Sequence, residues 1–141
     1  MTSVSNSQVA KSFRANRHKS FQWLGRFVLS SLGWKVTGSI KEEHENQKLV
    51  LVVAPHTSNW DGVLGMAAIA GLDARIAFFG KHTIFRYFGL GAFLKYMGGI
   101  PVNRASPGGA IGDGIKKIKS IEFSLIGMAP EGTRSKVAEW K

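Results

Sequence analysis

The chain has 141 residues, 44% of them hydrophobic and 20% charged, which is enough apolar material for one domain with a buried core. It contains no cysteine, so a disulfide framework, a thiol nucleophile and a cysteine-ligated metal site are excluded. The 19 basic residues against 9 acidic ones give a formal charge of +10, which favours an anionic partner: nucleic acid, an acidic membrane surface or a phosphorylated metabolite.

Residues 1–18 are polar and rich in Ser, Asn and basic side chains, with no apolar period, and read as a disordered basic tail. Up to residue 41 every charged side chain is basic: Lys11, Arg14, Arg17, Lys19, Arg26, Lys35 and Lys41. Residues 21–34 (FQWLGRFVLSSLGW) are strongly apolar but too short to span a bilayer, which takes about 20 apolar residues. Wound as a helix, they set Lys19, Gln22, Arg26 and Ser30 on a narrow polar stripe. Phe21, Leu24, Val28 and Leu32 then form a broad apolar face, with Trp23, Phe27 and Trp34 beside it. Two readings are open: an amphipathic helix lying in a lipid interface, or an ordinary helix packed on the core. Gly25 and Gly33 weaken the helix in either case.

Beyond this point the chain alternates. Residues 48–54 (KLVLVVA) predict a buried strand, 60–71 a helix, 74–80 (ARIAFFG) a strand, and 85–97 a helix with Gly89 and Gly91 as interruptions. Residues 99–103 (GIPVN) predict a short strand, with Pro101 arguing for an edge or a strand start. Residues 110–121 place Ile111, Ile115 and Ile118 on one helical face, and 122–129 (EFSLIGMA) predict a last buried strand. Such alternation implies βαβ crossovers, hence an α/β domain with a largely parallel sheet flanked by helices. The organisation expected is a tail at 1–18, an amphipathic membrane-interface helix at 19–35 and one α/β domain at 36–141. Because sheets of this kind usually have more strands, the domain is expected to be incomplete at its C-terminus.

Three constellations carry candidate chemistry. Pro55-His56-Thr57-Ser58-Asn59-Trp60-Asp61 follows a buried strand and opens a helix. On a regular helix His56 and Asp61 stand about 140° apart, so they meet only if His56 lies in the preceding loop and Asp61 points back from the first turn. A carboxylate there fixes the imidazole tautomer and leaves the other nitrogen free as a base. The alternatives are a carboxylate that merely favours the helix dipole, a loop histidine without a role, and metal ligation. The last has no further His at ligand spacing, since His18, His44 and His82 are scattered. Pro130-Glu131-Gly132-Thr133-Arg134-Ser135 follows the last strand; Gly132 allows a tight turn and Arg134 offers a planar fork for phosphate oxygens, or the segment is a surface turn with an ion pair. Arg104, closing GGIPVNR, and Lys81, after the second strand, are either phosphate ligands or surface charges. There is no G-x-S-x-G elbow, no Walker loop and no dinucleotide fingerprint.

In this order the blocks PHTSNWD, FFGKHTIFRYFGLGAFLKYMGGIPVNR and APEGTRS resemble the glycerophosphate acyltransferase superfamily, in particular 1-acyl-glycerol-3-phosphate acyltransferases with their His-x4-Asp motif, over roughly residues 49–135. The resemblance implies that His56 is the general base and Asp61 its orienting partner. It implies that Arg104 contacts the acceptor phosphate, that Glu131, Gly132, Thr133 and Arg134 hold the glycerol phosphate, and that Lys81 matches a lysine common before the second block. It further implies an enzyme of phospholipid synthesis on the cytoplasmic face of a membrane, with acyl-CoA or acyl carrier protein as donor, a lysophospholipid as acceptor, and no cofactor or metal. The same chemistry on another lipid acceptor is the alternative. A non-catalytic basic module binding membrane or nucleic acid is more remote: it leaves PHTSNWD and PEGTRS unexplained, and no zinc finger, RRM signature or basic heptad helix is present. Nucleic acid is therefore not expected as a partner.

Overall fold

Strands can pair parallel only if the chain crosses back over the sheet between them, and a helix between two apolar runs supplies that crossover. The computed structural model describes residues 4–45, 47–54, 58–103, 109–121 and 125–129. Four strands, β1 (Leu49–Val52), β2 (Ile76–Lys81), β3 (Gly99–Val102) and β4 (Leu125–Met128), form one all-parallel sheet in the order β1-β4-β2-β3. The α/β expectation holds. β3 is an outer strand, the position where Pro101 is tolerated. In register Leu49 pairs with Leu125 and Val52 with Met128, Ile76 with Leu125, and Lys81 with Val102.

The helices are α1 (Lys19–Ser31), α2 (Asn59–Leu72), α3 (Leu90–Tyr96) and α4 (Gly109–Lys119). None among the described residues is long and apolar enough to cross a membrane. The single helix expected over 85–97 is divided: a 3-10 segment, His82–Arg86, is followed by a turn through Gly89 at φ 76° before α3 starts. The positive φ suits glycine and ends the helical geometry there. α4 docks through Gly114, where a side chain would meet the Phe79 ring, so Ile115 of the expected apolar stripe is left exposed.

Residues 4–18 correct the expectation of a disordered tail. Val9, Ala10 and Phe13 are buried with Ala74 and Leu125, and Leu49, Leu51, Leu72 and Ile76 pack around them. Val4 packs with Leu29 of α1 and Ala67 of α2. The backbone is paired as well: Ala10 N–H donates to Ile40 O (2.9 Å), Ile40 N–H to Gln8 O (2.8 Å), and Arg75 N–H to Phe13 O (2.7 Å). Two 3-10 turns, Asn6–Gln8 and Lys11–Phe13, set the apolar residues inward without any regular period, which is why a pattern search passes over them.

The corner between α2 and β2 holds this segment in place. Asp73 ends α2 in the left-handed conformation (φ 58°, ψ 31°), which Asp tolerates better than most residues. Its buried carboxylate accepts the N–H groups of Asn16 (3.1 Å) and Arg17 (3.0 Å) and lies 3.8 Å from the Arg17 guanidinium. Arg17 also donates to Ala74 O (2.9 Å) and sits 5.6 Å from the Tyr96 ring centre. Burial pushes the Arg17 guanidinium below its ordinary value, opposed by the Asp73 carboxylate and by Tyr96.

α1 begins directly after this clamp and crosses α2 closely, since a β-carbon on Gly25 would lie 2.6 Å from Ala67 O and Gly71 N. The polar stripe of α1 faces inward at Gln22 and Arg26. Gln22 donates to Arg17 O (2.9 Å), and Arg26 donates to Gly71 O (2.9 Å), a carbonyl in the last turn of α2. Trp23, Leu24 and Phe27 are consequently exposed.

Replacing Asp73 by Ala leaves the Arg17 charge buried without its partner and is expected to lower the unfolding free energy by about 3–5 kcal/mol. Asp73→Asn, which keeps an acceptor and tolerates the left-handed backbone, loses less. Urea denaturation measures both; an unchanged midpoint for Asp73→Ala would show that residues 13–17 are not held at this corner.

Candidate active site

Because the sheet is all parallel, the carboxyl ends of its strands share one edge: Val52, Lys81, Val102 and Met128. Open α/β sheets bind their ligands at that edge. In sequence, His56 follows the end of β1, Arg104 the end of β3, and Glu131, Gly132, Thr133 and Arg134 the end of β4. All of these lie outside the described residues. Asp61 and Lys81 lie within them.

Asp61 occupies the first turn of α2, and the local sequence explains its orientation. Ser58 is the N-cap, with extended backbone (φ −137°, ψ 156°), and its hydroxyl accepts the Trp60 N–H at 3.0 Å. Asp61 answers as the third helical residue: its Oδ2 accepts the Ser58 backbone N–H at 2.7 Å. The Ser58 hydroxyl also accepts the Asp61 backbone N–H, and these two reciprocal bonds form a capping box that satisfies donors otherwise left unpaired at the helix start. The carboxylate is thereby turned back over the N-cap. His56, the partner expected for it, lies outside the described residues. The bond to Ser58 makes real the blander role considered for Asp61, support of the helix start. One role does not preclude the other, because a carboxylate accepts several hydrogen bonds. The run Thr57-Ser58-Asn59 holds three good N-cap types, and serine followed three residues later by an acidic side chain is the sequence signal of the reciprocal bond.

Lys81 is the last residue of β2 and is exposed at the shared edge. His82, one residue on, has its Nδ1 buried with no hydrogen-bond partner among the described residues. Just beyond, the 3-10 segment folds the Phe85 ring onto Gly80 and Gly99, where β-carbons would come within 2.8–2.9 Å of the ring. The glycines thus make room for an aromatic ring packed across the two strands, near the carboxyl end of β2 and the amino end of β3. On the other flank, Trp60 and Val63, either side of Asp61 on α2, are exposed, as are Val52 and Val53 at the end of β1. An ionisable group is therefore set beside apolar surface. Among the described residues no group of three His, Asp or Glu side chains could hold a metal ion.

A family model described as Acyltransferase matches residues 35–141, well over half of the chain, and the chain belongs to that family. No curated protein and no solved structure matches it.

Removing the Ser58 hydroxyl (Ser58→Ala) is expected to cost about 1 kcal/mol of stability through loss of the N-cap. Urea denaturation measures this, and a stability equal to that of the parent chain would mean the capping box does not secure the start of α2.

Proposed function

Taking membership of the acyltransferase family as the premise, we propose that this chain moves a fatty acyl group from acyl-CoA or acyl carrier protein to the free hydroxyl of 1-acyl-glycerol-3-phosphate. The product is phosphatidic acid, an intermediate of phospholipid synthesis, and the reaction runs at the cytoplasmic face of a membrane. The observation that carries this reading is the Asp61 carboxylate, turned back from the first turn of α2 onto the backbone of Ser58, a residue two positions after His56 in sequence.

In the proposed reaction His56 accepts the proton of the acceptor hydroxyl as its oxygen attacks the thioester carbonyl carbon. Asp61 accepts the other imidazole N–H, holding the tautomer and stabilising the imidazolium. The tetrahedral intermediate collapses with cleavage of the C–S bond, and the departing sulfur takes the proton back from His56. No enzyme nucleophile is needed, which suits a chain without cysteine. Arg104 and Arg134 bind the acceptor phosphate, with Glu131, Gly132 and Thr133 around the glycerol phosphate and Lys81 adding charge from the end of β2. The acyl donor is a substrate, so neither cofactor nor metal is called for. The exposed Trp60 and Val63 beside Asp61 are in keeping with substrates that carry long apolar chains.

The membrane is the remaining partner. The inward turn of Gln22 and Arg26 leaves Trp23, Leu24 and Phe27 of α1 and, past its end, Leu32 and Trp34 exposed, in a stretch of chain whose charges up to residue 41 are all basic. Aromatic and basic side chains together suit the headgroup layer of an anionic bilayer.

His56→Ala is expected to lower kcat by about 10²–10⁴-fold with acceptor binding kept. Asp61→Asn lowers it in the same direction. Radiolabelled acyl donor offered with a panel of acceptors tests both the variants and the acceptor, and labelling of non-phosphorylated acceptors alone would defeat this reading. Replacing Trp23 and Phe27 by Ser is expected to reduce liposome flotation by at least about tenfold. Point changes are the right test here, because residues 4–18 and α1 are part of the packed core and deleting them would unfold what is being measured.

A further inference from the structure

A second apolar surface, outside α1, has no role in the proposed reaction. The 3-10 segment and α3 expose Tyr87, Phe88, Leu90, Phe93 and Tyr96, and Phe88 is fully solvent-accessible at the tip of the turn through Gly89. This surface joins that of α1. Phe21 touches Phe93 (ring centres 6.4 Å) and Tyr96 (5.8 Å), both edge-on. Leu90 lies one turn from Phe93 on α3, and Leu24 one turn from Phe21 on α1. Trp23 stacks on Phe27 at 5.3 Å and extends the same run. Both contributing stretches are basic. Residues 1–41 and 74–112 contain no Asp or Glu, and Lys19, Arg86 and Lys95 are exposed on the elements concerned.

We propose that the turn at Tyr87–Leu90 is a second point of bilayer insertion, which together with α1 seats the domain on an anionic lipid surface in one orientation. This rests on the reading that the enzyme works at a membrane. Lipid is the occupant favoured over a protein partner for two reasons. A fully exposed phenylalanine at a turn tip has no surrounding wall, whereas aromatic anchors at protein interfaces sit in packed pockets. Insertion into an interface needs no such wall, and basic side chains without acidic neighbours complement anionic headgroups. Two insertion points fix a rotation that a single helix leaves open.

The absence of cysteine provides a direct test on the full chain. Phe88→Cys, Leu24→Cys and Glu43→Cys are each labelled with an environment-sensitive fluorophore and mixed with phosphatidylcholine vesicles containing phosphatidylglycerol. The result expected is a blue shift at positions 88 and 24 and none at 43. An unlabelled Phe88→Ala chain is expected to bind the vesicles about tenfold more weakly. A response at 24 without one at 88 overturns the second insertion point and leaves α1 anchoring standing; silence at both overturns both. A blue shift at 88 that grows with protein concentration in the absence of vesicles assigns the surface to a second copy of the chain and overturns the proposal. So does an equal response at 43, which marks general insertion of an unfolded chain.

Discussion

The fold depends on one buried carboxylate. Asp73 ends α2, turns the chain through a left-handed residue into β2, and at the same place binds the backbone of Asn16 and Arg17. A single side chain thus fixes the start of a strand and the approach of α1. Without it the N-terminal segment would be left with its scattered apolar contacts and the backbone bonds at Ala10, Ile40 and Arg75. With it, Phe13 is delivered to the base of the sheet and Val4 to the gap between α1 and α2. The inward donors of α1, Gln22 and Arg26, then find carbonyls waiting at Arg17 and Gly71. The polar stripe is spent on the protein, and the aromatic side of the helix is left to whatever lies outside.

The other organising fact is direction. All four strands run the same way, so the segments that leave their carboxyl ends have a common origin. The capping box shows how little is needed to aim a side chain from there: one serine and one aspartate, three residues apart, define both where the helix begins and which way the carboxylate points. The Phe85 ring over Gly80 and Gly99 packs the 3-10 segment against β2 and the amino end of β3.

Much of this was legible in the sequence. Four apolar runs of strand length became four strands, the serine before Asn59 became an N-cap, and Pro101 fell on an outer strand. What was not legible has physical reasons. Periodicity identifies elements but not their neighbours, so the placing of β4 between β1 and β2 could not be read. Val4, Val9 and Phe13 stand singly among polar residues and are buried by 3-10 turns and long-range backbone bonds that leave no repeat. The inward face of α1 was concealed because its polarity is needed inside, where helix-end carbonyls require donors and Gly25 brings the helices close. As to the site, Asp61 and Lys81 fall where their strand and helix assignments put them, while His56, Arg104 and Glu131–Arg134 lie outside the described residues.

The strand order has a consequence for how such a chain comes to be folded. β2 and β3 are adjacent in sequence and in space and can join as soon as both have been synthesised, but among the described residues β1 pairs with β4 alone, through pairs such as Leu49 with Leu125. While the ribosome makes the intervening residues, β1 waits with both edges unsatisfied, and closing that long loop is an entropic cost met late. The Asp73 clamp and the residues it gathers shelter Leu49 and Leu51 on one face, which makes the N-terminal segment a built-in guard for the seam between β1 and β4.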